Sequence, residues 1–90
     1  MPPEILFHGT ATGFIDSIKE QGLQRGTRLH VHLSPDEHTA ISVGRRHGNP
    51  VVLTVKALHM HEKGFKFYHS DSGIWLTNSV PAEYIIFPGQ

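Results

Sequence analysis

The sequence predicts an α+β domain, and three features of its 90 residues predict it. Two segments with helical spacing of apolar residues come early, each closed by a glycine. Short apolar or β-branched runs separated by turn residues come late. No repeat and no linker divides the chain. Helices and strands that segregate in this way belong to the α+β class, and 90 residues suit one domain, 1–90, with a modest core.

Ile5-Leu6-Phe7-His8 is a short apolar run followed by Gly9, and reads as a buried first strand that the glycine stops. From Ala11 to Gln21, Phe14, Ile15 and Ile18 fall on one helical face; Gly22 stands where a helix-ending glycine would, with Leu23 as its apolar contact. Gln24 to Thr27 is a polar loop. Arg28-Leu29-His30-Val31-His32-Leu33 reads as a strand with Val31 and Leu33 on one face and His30 and His32 on the other. Ser34 then sits at a helix N-cap, with Pro35 at the first helical position and Glu37 completing a capping box. That second helix runs to about Arg46, turning Ala40, Ile41 and Val43 inward, with Arg45, Arg46 and His47 in a last turn where cations suit the helix dipole.

Gly48-Asn49-Pro50 breaks the chain before Val51-Val52-Leu53-Thr54-Val55, the clearest strand, whose β-branched continuity suits a central position. Lys56 to Gly64 reads as a polar connection with Leu58 and Met60 packed onto the core. Phe65–His69, Ile74–Thr77 and Tyr84–Phe87 read as strands, with turns at Ser70–Gly73 and Asn78–Ala82. Pro88-Gly89-Gln90 reads as a frayed tail.

Composition narrows the function. With 38% hydrophobic and 18% charged residues, the chain has the balance of a globular protein. Eight Lys and Arg balance eight Asp and Glu, so any anion site must be a local cluster. Cysteine is absent, which excludes disulfides and thiolate metal sites and accords with a cytoplasmic location. No apolar run approaches the ~20 residues that span a bilayer, and Met1-Pro2-Pro3-Glu4 lacks the regions of a signal peptide, so no membrane partner is expected.

The stretch from Arg28 into the second helix sets an arginine, imidazoles and helix N–H groups at one edge, which suits an anionic ligand. His30-x-His32 and His59-x-His61 have a spacing that metal sites use, but neither has a third ligand at a motif-like interval, so no metal is expected. His38, His59, His61 and His69 read as surface or hydrogen-bonded side chains. In His8-Gly9-Thr10, the glycine would let the backbone approach a ligand and the threonine adds a hydroxyl. Taken alone, Arg28 reads as a solvated charge, and Arg45-Arg46-His47 as complement to a helix dipole.

Taken together, the landmarks carry more. Pro3-Glu4-Ile5-Leu6-Phe7-His8-Gly9-Thr10, Gly22-Leu23, Arg28-x-His30-Val31-His32-Leu33-Ser34, Val43-Gly44-x-Arg46-His47-Gly48-x-Pro50-Val51-Val52-Leu53, Ser70-x-x-Gly73-Ile74-Trp75-Leu76-Thr77 and Val80-Pro81-x-x-Tyr84-Ile85 follow in order. The string resembles the C-terminal ADP-ribosyltransferase lobe of the RNA 2′-phosphotransferase (tRNA 2′-phosphotransferase) family, over nearly the whole chain.

The resemblance implies an ADP-ribosyltransferase-like split antiparallel sheet with two short helices, clasping NAD⁺ as co-substrate. It implies that His8, Gly9, Thr10, His32, Leu33 and Ser34 bind NAD⁺, with Arg46 and His47 as candidates for the adenine side. It implies catalytic roles for Arg28, His32 and Ile74, the last standing where many ADP-ribosyltransferases carry a glutamate. The nucleophile, an RNA 2′-phosphate, is already anionic and needs no general base, whereas an arginine fork can position it. In the family the phosphate passes to ADP-ribose, the ribose 2″-hydroxyl closes on it, and RNA, ADP-ribose 1″,2″-cyclic phosphate and nicotinamide leave, a step of tRNA splicing and RNA repair.

Full-length members also carry an N-terminal winged-helix-like lobe that supplies an arginine–histidine pair and a further arginine. Those residues have no counterpart in these 90, so the partners implied are NAD⁺, RNA bearing a 2′-phosphate, and a separate chain that could supply the lobe. Two other functions fit the same residues. One is a stand-alone, toxin-like ADP-ribosyltransferase acting on RNA ends, a protein or a small molecule. The other is a non-catalytic NAD⁺ or ADP-ribose binding module.

Overall fold

A computed structural model describes residues 1–89. Its first strand, β1 (Leu6–Ala11), runs straight through Gly9, where the sequence suggested a stop. The glycine serves packing. A Cβ there would overlap the Ala40 carbonyl oxygen, and one at Gly44 would come within 2.6 Å of the Thr10 carbonyl oxygen. The two glycines let helix α2 (Glu37–Gly44) lie close on β1. A 3₁₀ turn (Thr12–Phe14) precedes a shorter helix than expected, α1 (Ile15–Gln21). Gly22 ends α1 at φ 73°, its N–H donating to the Ile18 carbonyl at 2.7 Å, and Leu23 packs into the core behind it. Of the three apolar residues assigned to one buried face, Ile18 is buried, Ile15 is half-buried and Phe14 is 50% exposed.

The polar stretch is mostly loop. Only Val31–Leu33 form a strand, β3, with Val31 and Leu33 buried and His32 exposed, as the alternation requires. Arg28 to His30 precede it in irregular backbone, tied by a turn in which the Arg28 N–H donates to the Arg25 carbonyl at 3.0 Å. The helix start is also corrected. Ser34 exchanges N–H and carbonyl hydrogen bonds with Phe7, at 2.7 and 2.8 Å, which holds it in the seam two residues before the cap position. Asp36 caps α2 instead, its carboxylate accepting from the Thr39 N–H at 2.7 Å and the Thr39 hydroxyl at 3.1 Å. The helix stops at Gly44, and Arg45–His47 form a 3₁₀ turn.

Three more strands enter with β2 (Leu23–Gln24), β4 (Pro50–Val55) and β5 (Phe67–His69). Between β4 and β5, the expected polar connection contains a third helix, α3 (Ala57–Glu62), with Ala57 and Met60 buried one turn apart. His59 and His61, two positions apart on a helix, point to different sides and cannot share a ligand; His59 packs against Tyr84 instead. The chain ends with β6 (Trp75–Thr77), β7 (Ser79–Val80) and β8 (Ile85–Ile86). β7 falls inside a segment read as turn, and a 3₁₀ turn (Ala82–Tyr84) shortens β8. Pro88 and Gly89 form a turn, and Gln90 of the expected frayed tail lies outside the described residues.

All pairing is antiparallel, in sheets ordered β1-β4-β8, β3-β6-β5 and β2-β7. β4 is central in its sheet, as its β-branched run suggested. The sheet is split: the halves led by β1 and β3 meet at the Phe7–Ser34 bridge. Behind the seam one core cluster joins Leu6, Leu53 and Val55 of one half to Val31 and Leu33 of the other. In front of it the seam opens into a cavity.

Candidate active site

The cavity, of ≈ 730 Å³, is walled by the residues that split the sheet. β1 contributes His8, Gly9 and Thr10, and β3 with the loop before it and the residue after it contributes Arg25, Arg28, His30, His32 and Ser34. Ile74 closes one side just before β6, while Val43, Arg46 and His47 come from the end of α2 and its 3₁₀ turn. Three of the chain's four arginines and four of its eight histidines line it; among the described residues, no Asp or Glu does. A chain of zero net charge therefore concentrates cations in one cleft, as the composition required of any anion site.

The start of α2 adds nothing to this charge. That end is capped by Asp36 and followed by Glu37, and neither lines the cavity. The expectation of helix N–H groups at the site fails with the misplaced cap. The helix end that does reach the cavity is the C-terminal one, so anion affinity must come from guanidinium and imidazole groups.

His8 holds the seam from the side-chain level. Its Nδ1 lies 2.9 Å from the His32 carbonyl oxygen, and a carbonyl can only accept, so Nδ1 carries a proton. Burial pushes the His8 pKa below its ordinary value; the His32 hydrogen bond opposes this, and the fields of His32, His47 and Arg28 add to it. Neutral His8 thus presents Nε2 as an acceptor, suited to a hydroxyl and not to a phosphate. Arg28 Nη1 approaches Nδ1 of His32 at 3.4 Å, a long contact in which the ring nitrogen accepts. Arg25 Nη1 donates to the Arg28 carbonyl at 3.0 Å, so both guanidiniums belong to one short turn.

The structure brings together His8, Gly9, Thr10, Arg28, His32, Ser34, Arg46, His47 and Ile74 around one cavity. It does not bring the Leu33 side chain there: Leu33 is 1% exposed and faces the core, as its place beside His32 on the strand dictates. Ile74 is held by Ser70, whose hydroxyl donates to the Ile74 carbonyl at 2.9 Å and accepts from its N–H at 3.2 Å. Among the described residues, no three His, Asp or Glu side chains gather as a metal site, and no helix is long and apolar enough to cross a membrane.

Sequence reasoning missed Phe14, Arg25 and Val43. Phe14 was assigned to a buried face, yet it lines the cavity and meets the His47 ring edge-on, centroids 6.3 Å apart. Its position just before α1 was the available signal. Arg25 had none beyond its charge.

Residues 1–79 match the family model described as RNA 2′-phosphotransferase, Tpt1 / KptA family. The chain is 61% identical over 85 residues to a probable RNA 2′-phosphotransferase of Pectobacterium carotovorum subsp. carotovorum (strain PC1), covering 94% of this chain and 46% of that protein. It is 57% identical over 84 residues to one of Burkholderia lata, covering 93% and 43%, and 54% identical over 84 residues to one of Escherichia coli O9:H4 (strain HS), covering 93% and 46%. The chain spans about half the length of the curated relatives it matches.

Proposed function

The chain belongs to the RNA 2′-phosphotransferase, Tpt1 / KptA family, and on that premise we propose that it transfers an RNA 2′-phosphate to the ADP-ribose portion of NAD⁺. The observation that carries this reading is a cleft rich in arginine and imidazole that, among the described residues, no carboxylate lines. An anionic phosphate needs no base before it attacks, and the cleft's arginines supply the cations that would position it.

The cleft's chemistry fits a dinucleotide. Its volume of ≈ 730 Å³ lies in the range of ligand pockets. Gly9 and Thr10 leave one wall without bulk. When bound, NAD⁺ supplies the electrophilic ribose C1″ and nicotinamide as leaving group. His8 would accept from a ribose hydroxyl through Nε2, its ring fixed by the hydrogen bond to the His32 carbonyl. Arg28, with Arg25 beside it on the same turn, would grip the 2′-phosphate and hold it against that carbon. Ile74 fills the remaining wall with an aliphatic side chain, which neither competes for the phosphate nor repels it. Arg46 and His47 would face the other end of the dinucleotide.

The test is incubation with NAD⁺ and an oligoribonucleotide bearing one internal 2′-phosphate, with and without the N-terminal half of a relative. Loss of the phosphate together with release of nicotinamide and ADP-ribose 1″,2″-cyclic phosphate is the expected outcome. Nicotinamide release only with RNA ends, a protein or a small molecule as acceptor would instead make the chain an ADP-ribosyltransferase of another target. Binding of NAD⁺ with no nicotinamide release under any of these conditions would refute the enzymatic reading.

A further inference from the structure

The cavity does not end at His32. Across β3, β6 and β5, His32 faces Leu76 and Leu76 faces Tyr68, so the three side chains stand in a row on one sheet face. Ile74, two residues before Leu76, shares that face, which is the face of the cavity. Tyr68 closes the row on the outer strand and is 45% exposed, which leaves its ring open to a ligand. It leans against His30, a cavity residue, with centroids 5.3 Å apart and planes tilted by 53°. Beyond Tyr68 a second, shallower depression of ≈ 290 Å³ begins, lined by His61, Gly64, Phe65, Lys66, Phe67 and Tyr68 itself. Among the described residues lining the two depressions are Arg25, Arg28, Arg46 and Lys66, and no Asp or Glu.

A cationic pocket, an exposed aromatic step and a further depression that carries Lys66 form the sequence of features that follows a single nucleic-acid strand, phosphate by phosphate with a base stacked between. Two inter-strand spacings, about 10 Å, separate His32 from Tyr68, a distance a nucleotide can bridge from its phosphate to a neighbouring base. Resting on the reading that the main cavity takes an RNA 2′-phosphate, we propose that Tyr68, backed by His30, stacks the nucleobase adjacent to that phosphate and that the strand continues over Lys66. The acceptor is then a single-stranded RNA segment of more than one nucleotide. Affinity for it is built from a phosphate subsite at Arg28 and a base subsite at Tyr68. Because Tyr68 touches the neighbouring nucleotide and not the reacting atoms, it governs substrate choice.

Fluorescence anisotropy with a labelled single-stranded hexaribonucleotide carrying one internal 2′-phosphate tests this, with a nucleoside 2′-phosphate as competitor to report the phosphate subsite alone. Tyr68→Ala and Tyr68→Leu should weaken the hexamer about tenfold while leaving the nucleoside 2′-phosphate and NAD⁺ affinities unchanged. Tyr68→Phe should bind as the wild type does, and Lys66→Gln should lower the salt dependence of hexamer binding by roughly 0.7 in log–log slope. Unchanged hexamer affinity in Tyr68→Ala, or an equal loss for both probes, would overturn the proposal. So would displacement of the hexamer by an acidic peptide as readily as by unlabelled RNA, which would point to a protein acceptor. If the nucleoside 2′-phosphate binds, depends on Arg28, and is indifferent to Tyr68 along with the hexamer, the base subsite alone fails. If it does not bind, or binds without need of Arg28, the phosphate reading fails and the base subsite falls with it.

Discussion

Gly9→Ala adds one methyl group to the middle of β1, and the structure gives that methyl nowhere to go. Its nearest neighbour is the Ala40 carbonyl oxygen, with the Gly44 nitrogen at 3.0 Å. Both belong to the backbone of α2, so no side-chain rotation relieves the overlap; the helix must move off the strand or the strand must buckle. Overpacking costs about 1–3 kcal/mol when side chains can adjust, and a backbone obstacle places this substitution at the upper end, about 3 kcal/mol. For a domain of this size that is a fall in Tm of roughly 12–24 °C. Gly13→Ala is the matched control. Nothing lies within 4 Å of the methyl it would add, and Gly13 is not among the positive-φ glycines. There the lower entropy of the unfolded chain should stabilise by about 0.4–1 kcal/mol. Calorimetry or thermal circular dichroism on the two variants measures the contrast, and NAD⁺ titration should show weaker binding in the first alone, since α2 carries Val43 on the cavity wall. A Gly9→Ala variant that melts within 2 °C of the wild type would refute the close helix–strand contact.

Three further outcomes follow from the site. Arg28→Ala removes an exposed side chain whose described polar partner, His32, lies at 3.4 Å, so stability should change by no more than about 0.5 kcal/mol; loss of two charge-assisted bonds to phosphate should cut kcat/KM roughly 10²–10⁴-fold, and loss of NAD⁺ binding instead would refute its assignment to the acceptor. His8 has its pKa held below the ordinary 6.5 chiefly by burial, so the unfolded chain takes up the proton first. Its contribution to stability is therefore full above about pH 6.5 and is lost as pH falls through the lowered folded value; the difference in Tm between wild type and His8→Asn should vary with pH only in that acid window. Asp36 has its pKa lowered by its hydrogen bonds to Thr39, so its cap holds above the ordinary 3.8 and fails as pH falls through the folded value. Asp36→Ala should lower Tm and leave ligand affinity unchanged, with Asp36→Asn recovering most of the loss; an effect of Asp36→Ala on NAD⁺ affinity would return the helix start to the site.

The parts of this fold that were legible are those where local pattern and tertiary role agree. The alternation of Val31, His32 and Leu33 survives because a three-residue strand already decides which side is core. Gly22 was readable because its chemistry is local: a positive φ and one hydrogen bond back to Ile18. Ser34 misled for the converse reason. Its suitability as a cap is real, but a long-range bridge to Phe7 holds it in the seam, and Asp36 is two residues away with equal suitability. α3 was missed because one and a half turns leave room for few periodic positions. In the site, the order of landmarks carried His8, Arg28 and Ile74 to one place, whereas Phe14 and Val43 reach the cavity only through the way α1 and α2 pack.

Phe7 and Ser34 exchange the two main-chain hydrogen bonds that join the front of the molecule across its seam, and the His8 ring adds a third. In a continuous sheet a full ladder would transmit strain from strand to strand, so that both halves would loosen together or not at all. With the ladder cut to a single rung, the front of the domain resembles a book held by its spine, the spine being the shared core. Anything bound across the opening supplies the missing rungs. Ligand should therefore do more than raise the melting temperature by mass action: it should slow amide exchange in β3 and β6 toward the rate of β1 and β4, converting two loosely coupled leaves into one.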